Sequence, residues 1–196
     1  MAKQKSKQII IMPPKLVRVI VEIEGISSLI CHQRTSEGIT KKPTPEKDPE
    51  VQFQQSLYPK INGKYAFPAS AIKKAVIAAA KTYCTSINKN QVTGSFYINQ
   101  DWLLIEGDEP RHFKHIVLVP PRTGSPVEHT RAEFPHWKMK IPLEYDENGP
   151  IGLEILVNLI SSAGFHIGIG VWRPEKQGGP HGRFRVVSVK SIGKKR

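Results

Sequence analysis

Apolar and polar positions follow two distinct periods along the chain. Residues 16–24 are rich in β-branched side chains, and the end of the run alternates apolar with acidic, which predicts a first strand closed by Gly25. Residues 134–145 set Trp137, Met139, Ile141 and Leu143 against charged or polar neighbours, another half-buried strand, followed by a turn at 146–149. Helical spacing takes over elsewhere. Ala71, Ile72, Ala75, Val76, Ala79, Ala80 and Tyr83 form one stripe, with Lys74, Ala78 and Lys81 opposite and Lys73 at its edge. Pro68 suits the first position of that helix, where its missing N–H costs nothing. Residues 151–163 read as a second helix, with Gly164 as its stop.

The remaining segments are assigned around these four. Residues 26–31 are apolar, whereas 32–55 are polar and carry Pro43, Pro45 and Pro49, which predicts a mobile loop insertion. Residues 56–61 and 64–67 flank Asn62-Gly63, the strongest short hairpin signal. Residues 96–106 and 115–119 read as strands joined by a polar segment, and 165–172 and 183–189 as two last strands around a Gly-rich loop. Stripped of the extra hairpin and the loops, the order is βαββαβ. That predicts an α+β fold with a ferredoxin-like, RRM-like core.

Composition sharpens this picture through the placement of charge. The 196 residues hold 29 Lys and Arg against 17 Asp and Glu, a net charge of +12. Residues 1–18 carry five cations (Lys3, Lys5, Lys7, Lys15, Arg18) and no acid, and residues 172–196 carry eight cations against Glu175 alone. The stretch between is neutral, so the excess lies at the two ends, a pattern that points to nucleic acid or an anionic membrane. We expect a basic arm at 1–15, one domain at 16–190 and a basic tail at 191–196. No apolar run approaches the ~18 residues that span a bilayer, and residues 9–12 are too short for a secretory signal core. Cys31 and Cys84 make no disulfide framework. A soluble protein of a reducing cytoplasm is the expectation.

The candidate chemistry gathers in residues 164–185. Gly168, Gly170, Gly178, Gly179 and Gly182 would let a ligand approach the backbone. Arg173, Lys176, Arg183 and Arg185 supply cations, and Trp172, His181 and Phe184 supply planar faces. Interleaved cations and rings suit single-stranded nucleic acid, where phosphates follow the charge and bases stack. Lys73, Lys74 and Lys81 could line a phosphate track, Lys64 is a further candidate contact, and Arg122 and Arg131, placed in a loop between strands, could project as a finger. The segment is neither a Walker loop nor a dinucleotide fingerprint. His112 and His115 have spacing compatible with zinc, but no Cys cluster accompanies them, so no metal is expected. His32 and His181 could serve as general acid and base, yet no partner is identifiable for either. No nucleophile elbow, paired acids or two-metal cluster is evident.

Three blocks carry a resemblance: residues 26–32, residues 63–74, and residues 163–176 with 182–185. They resemble a family of small, mostly uncharacterised bacteriophage and prophage proteins. More distantly the layout is similar to the RAMP superfamily, the RNA-binding backbone subunits of CRISPR effectors. By that resemblance Pro68, Ser70 and Lys73 match a helix-start block, and Gly168, Gly170, Gly179, Gly182 and Arg183 match a late Gly-rich loop. RNA-cleaving relatives place an Asp after the first strand, where this chain has Cys31, His32 and Gln33, so the resemblance does not imply cleavage.

The expectation is therefore a non-enzymatic, cofactor-free protein of the bacterial cytoplasm. It would coat single-stranded nucleic acid, DNA favoured over RNA, as a homo-oligomer along the strand, with no membrane and no small-molecule substrate. The alternatives are a metal-independent endoribonuclease using His32 or His181, and an assembly or anti-defence protein that binds another protein.

Overall fold

A computed structural model describes residues 13–33, 48–83, 87–118, 126–176 and 178–192. The central sheet runs β11 (Phe184–Ser191), β1 (Leu16–Gly25), β10 (Trp137–Asp146), β5 (Phe96–Ile98), each neighbouring pair antiparallel. Helix α2 (Ala69–Tyr83) follows β1 in the chain and precedes β5, and α4 (Leu153–Ser162) lies between β10 and β11. Counted along the chain, the four strands stand in the order 4-1-3-2, which is the ferredoxin-like plan. The two periods explain the packing. Val19, Val21 and Ile23 of β1 and Met139, Ile141 and Leu143 of β10 alternate onto one face and are buried there. Ile72, Val76 and Ala79 of α2 and Leu156, Leu159 and Ile160 of α4 bring their helical stripes into the same core.

The opposite face of this sheet is a lattice of ion pairs. Glu24 accepts from Arg185 at 2.7 Å and pairs with Lys138 at 3.0 Å, and these cations hold its carboxyl below the ordinary range. Arg18 pairs with Glu144, and Lys140 with Glu106 at 3.0 Å. RRM-type sheets stack bases on aromatic residues of their open face. Along β1, β10 and β11 this face carries compensated charge instead.

Insertions into the core build a second layer. Before α2 come β2 (Leu29–Ile30), α1 (Pro49–Ser56) and the hairpin of β3 (Lys60–Ile61) with β4 (Lys64–Pro68). The hairpin turn holds Asn62 and Gly63 at φ 51° and 76°, as an Asn-Gly turn requires. After β5 come β6 (Trp102–Leu104), β7 (Glu106–Gly107) and the long hairpin of β8 (Arg111–Leu118) with β9 (Pro126–Phe134). These strands form two further sheets, β2-β9-β8 and β3-β4-β6, with β7 on the edge of β10.

Several local expectations change, each for a tertiary reason. Residues 49–55, expected to be irregular, and Ser56, expected to open a strand, form α1, where Asp48 accepts from the Glu50 N–H at 2.8 Å and Pro49 occupies the first turn. The helix persists because Gln52 and Ser56 accept from the Thr130 and Ala132 N–H groups of β9 at 2.6 and 2.7 Å. A further helix, α3 (Lys89–Ser95), is capped by Asn88 and buries only Val92, too little apolar surface to show as a stripe. Residues 96–106 divide into three short strands, because the chain crosses from the central sheet to another at 99–101. Residues 126–134 are a strand, so Arg131 stands on β9 and not in a loop. Pro68 ends β4, and the helix starts at Ala69. Residues 165–172 are not a strand: a π-helical turn, Ala163–Ile167, continues α4, and irregular chain follows. Gly164, expected as the stop, is buried inside that turn, and Gly168 at φ 69° ends it. Residues 1–12 of the expected 1–15 arm, most of the 32–55 insertion (34–47), Arg122 and the last four tail residues lie outside the described residues.

Candidate nucleic-acid interface

Residues 168–182 fold onto themselves and onto β2. Ile169 donates its N–H to the Gly182 carbonyl at 2.9 Å, Gly182 to Ser28 at 2.8 Å, Val171 to Ile30 at 3.0 Å and His181 to Trp172 at 3.2 Å. The glycines permit this self-packing. A Cβ on Gly179 would stand 1.8 Å from the Trp172 oxygen, and one on Gly170 would stand 2.5 Å from the Ile30 oxygen. Gly168, Gly170, Gly179 and Gly182, expected to open the backbone to a ligand, thus let chain approach chain. Around Gly178 there is open space.

On one flank of this segment lies an exposed line of rings. Tyr83, at the end of α2, stacks on His166 with centroids 3.9 Å apart and 14° between planes. Phe165 meets His166 edge-on at 4.8 Å. The Arg183 guanidinium lies 4.7 Å from the Phe165 centroid and makes no ion pair among the described residues. Phe165 and Tyr83 are 54% and 49% exposed, unusual for rings of this size. The π turn creates the line: its extra residue per turn directs Phe165 outward while Ala163, Gly164 and Ile167 stay buried.

The other flank faces the β8–β9 hairpin. Register places Phe113 opposite Arg131, His115 opposite His129, and Arg111 opposite Glu133, all on one face. Trp172 meets His115 edge-on at 5.5 Å, and His181 meets Phe113 at 5.2 Å. His181 Nδ1 and the Ser28 hydroxyl are 2.9 Å apart. Burial pushes Glu133 up, but hydrogen bonds from Arg111 and Ser28 outweigh it and hold its carboxyl low. Burial, aided by Arg131 and His129, pulls His115 down to about 4, and burial also lowers His129 and His181. These rings are neutral at pH 7. His112, three residues from His115, points to the other face against Phe53 and Glu50, so the zinc-like spacing does not converge.

The other expected site residues are distributed unevenly. Arg173 donates to the Gly170 carbonyl at 2.9 Å and to Glu175 at 2.8 Å, which makes it a clamp within the loop. Arg185 is held by Glu24 on the open sheet face, and Lys176 is exposed. Lys64 and Lys74 are exposed on β4 and the first half of α2, whereas the far end of that helix is the part touching the π turn. Lys73 donates to the Phe96 carbonyl at 3.0 Å, and burial lowers its pKa. It borders a cleft of about 380 Å³ with Ser70, Asp101 and Trp102. The structure thus gathers Arg131, Trp172, Lys176, His181 and Arg183 around one segment and leaves Lys64, Lys73 and Lys74 elsewhere. Sequence reading missed Tyr83, Phe165 and His166 as a line of rings, and Phe113, His115 and His129 as partners of Arg131. The alternation of Phe113 and His115 along β8 was the available signal, but only the register of β9 gives it meaning.

No family model and no curated protein matches the chain. Among solved structures, a chain of the cryo-EM structure of the Type III-B Cmr-beta bound to cognate target RNA has a TM-score of 0.46 and 16% identity, over 91% of this chain and 61% of that one. This protein therefore spans about three fifths of that chain's length. Cmr6 from Pyrococcus furiosus has a TM-score of 0.49 and 10% identity, over 88% of this chain and 99% of its own. Both TM-scores lie below one half. The bacteriophage-family resemblance gains no support from them.

Proposed function

We propose that this protein binds single-stranded nucleic acid, without catalysing a reaction on it, along the surface formed by the π turn and the Gly-rich segment. The observation that carries this reading is Arg183, a cation without a carboxylate partner among the described residues, seated over Phe165 in an exposed line with His166 and Tyr83. Unpaired charge beside open ring faces is what sequence-tolerant strand binding needs, since phosphates are neutralised and bases stack. Lys176, exposed nearby in sequence, and the basic chain ends add counterion release. In its finer form the strand is DNA, and copies of the protein coat it side by side. The edge of β11, unpaired among the described residues and with Val187 and Val189 exposed, offers a surface where copies could meet.

Fluorescence anisotropy with labelled mixed-sequence single-stranded DNA, single-stranded RNA and duplex tests this reading. Affinity should favour single strands and fall steeply between about 50 and 200 mM salt. Gel filtration should show complexes whose size grows with strand length. Absence of binding, or binding indifferent to salt, would discard the proposal. Cleavage of RNA in EDTA that is lost in His181→Ala would replace it with the endoribonuclease reading.

A further inference from the structure

We infer that the face of the β8–β9 hairpin turned toward Trp172 and His181 is a phosphate-binding site, distinct from the exposed ring line and going beyond the strand binding proposed above. The argument starts from Arg131. Its side chain is half-buried, yet it makes no hydrogen bond or ion pair among the described residues. Other arginines of this second layer and its loop are held: Arg111 by Glu133 at 2.8 Å and Arg173 by Glu175. A cation withdrawn from water ordinarily has a partner.

A second group beside it wants a partner. Trp172 Nε1, an obligatory donor, is buried with no acceptor among the described residues, whereas the neighbouring His115 ring has the His129 backbone beside it. Buried donors are nearly always satisfied, so the orphaned indole N–H requires an explanation. The backbone supplies a third sign. Trp172 holds φ 57°, a conformation that bulky residues rarely adopt and that clusters at ligand sites. The strained residue is the one that sets its indole edge-on to His115.

The charge on this face favours an anion. Arg131 is a cation with no carboxylate partner among the described residues, His115 and His129 share its face as neutral rings, and His181 approaches from the loop. Glu133, the acid on the same face, is already engaged by Arg111 and Ser28. Lys114 and Glu128 lie on the other face, paired with each other. A tetrahedral oxyanion would meet the planar fork of Arg131 and the indole N–H together, while the rings of Phe113 and Trp172 suit an attached base. The ligand class is thus the phosphate of a nucleotide, supplied either by a strand terminus or by a strand's interior.

Histidine ring signals of the full chain, followed by NMR during addition of inorganic phosphate and then sulfate, test the site. Sodium chloride at matched ionic strength is the control. The His115 and His129 signals should move saturably with both anions and not with chloride. Their titration should shift to higher pH in sulfate, because a bound anion favours the protonated ring. Arg131→Gln should weaken phosphate binding about tenfold or more. If that variant fails to fold, Arg131→Lys and the wild-type titration still decide. Tighter binding of a 5′-phosphorylated oligonucleotide than of its unphosphorylated twin assigns the site to strand termini. Equal binding of the two, with inorganic phosphate competing, assigns it to interior phosphates. Signals of His115 and His129 that ignore both anions overturn the inference and leave oligonucleotide binding standing. Saturable phosphate binding by a protein that binds no oligonucleotide would remove the proposed function and keep this site.

Discussion

Gly182 and Ile169 approach so closely that a Cβ on the glycine would stand 1.7 Å from the Ile169 carbonyl oxygen, while the Ile169 N–H donates to the Gly182 carbonyl at 2.9 Å. This contact closes the Gly-rich segment at its base, and Gly182 also holds φ 68°. Gly182→Ala should therefore cost about 3 kcal/mol or more, from steric overlap added to left-handed strain. Gly178→Ala, at φ 62° but in open space, should cost only about 1 kcal/mol. Urea denaturation of the two variants compares these directly, and equal losses would contradict the packing.

Removal of the cation or the ring at the exposed line should weaken strand binding while the fold remains. Phe165→Ala and Arg183→Gln should each lower affinity for a single-stranded oligonucleotide about tenfold. Arg183→Gln should also reduce the salt slope by about one. Arg185→Gln, whose side chain is held by Glu24, should leave that slope unchanged. Anisotropy at several salt concentrations reads all three.

Arg173 should behave as a structural residue. Its hydrogen bond to the Gly170 carbonyl and its pairing with Glu175 fix the loop, so Arg173→Ala should destabilise the protein by about 1–2 kcal/mol. Oligonucleotide affinity, measured under conditions where the variant is fully folded, should change less than about twofold.

Ser56 joins α1 to the hairpin. Its hydroxyl donates to the Phe53 carbonyl and accepts from the Ala132 N–H, both at 2.7 Å and both buried. Ser56→Ala leaves that N–H without an acceptor and should cost about 1–3 kcal/mol. Hydrogen exchange at the Ala132 amide should accelerate more than at Val21, in the central sheet.

Acid should loosen the hairpin layer before the central sheet. Folding lowers the pKa of His115, His129 and His181, so the unfolded chain binds more protons than the folded one as pH falls through the ordinary histidine range. Their contribution is complete above the unfolded value near 6.5 and declines below it, until His115 itself protonates at about 4. The lowered carboxylates Glu24, Glu133 and Glu144 add a second loss below their unfolded value near 4.5. The urea midpoint should fall from pH 7 to pH 5, and His115→Gln should reduce that fall.

Local pattern alone determined the ferredoxin-like core. Alternation in β1 and β10 and the stripes of α2 and α4 are properties of neighbouring residues, and they survive because each element buries the face its own period defines. The basic, Gly-rich and aromatic character of residues 164–185 was legible in the same way. Tertiary structure decided what those residues do. Gln52 and Ser56 hold α1 through bonds to a strand more than seventy residues away, a partner that no local window contains. The register of β8 with β9 sets Phe113 opposite Arg131 and His115 opposite His129, and a shift of one residue would turn them to the other face. Carboxylate pairing likewise separates Arg173 and Arg185, which are engaged, from Arg131 and Arg183, which have no such partner among the described residues. Composition counts cations, but only the fold assigns each one a neighbour, because ion pairs form across distances in space that sequence separation does not encode.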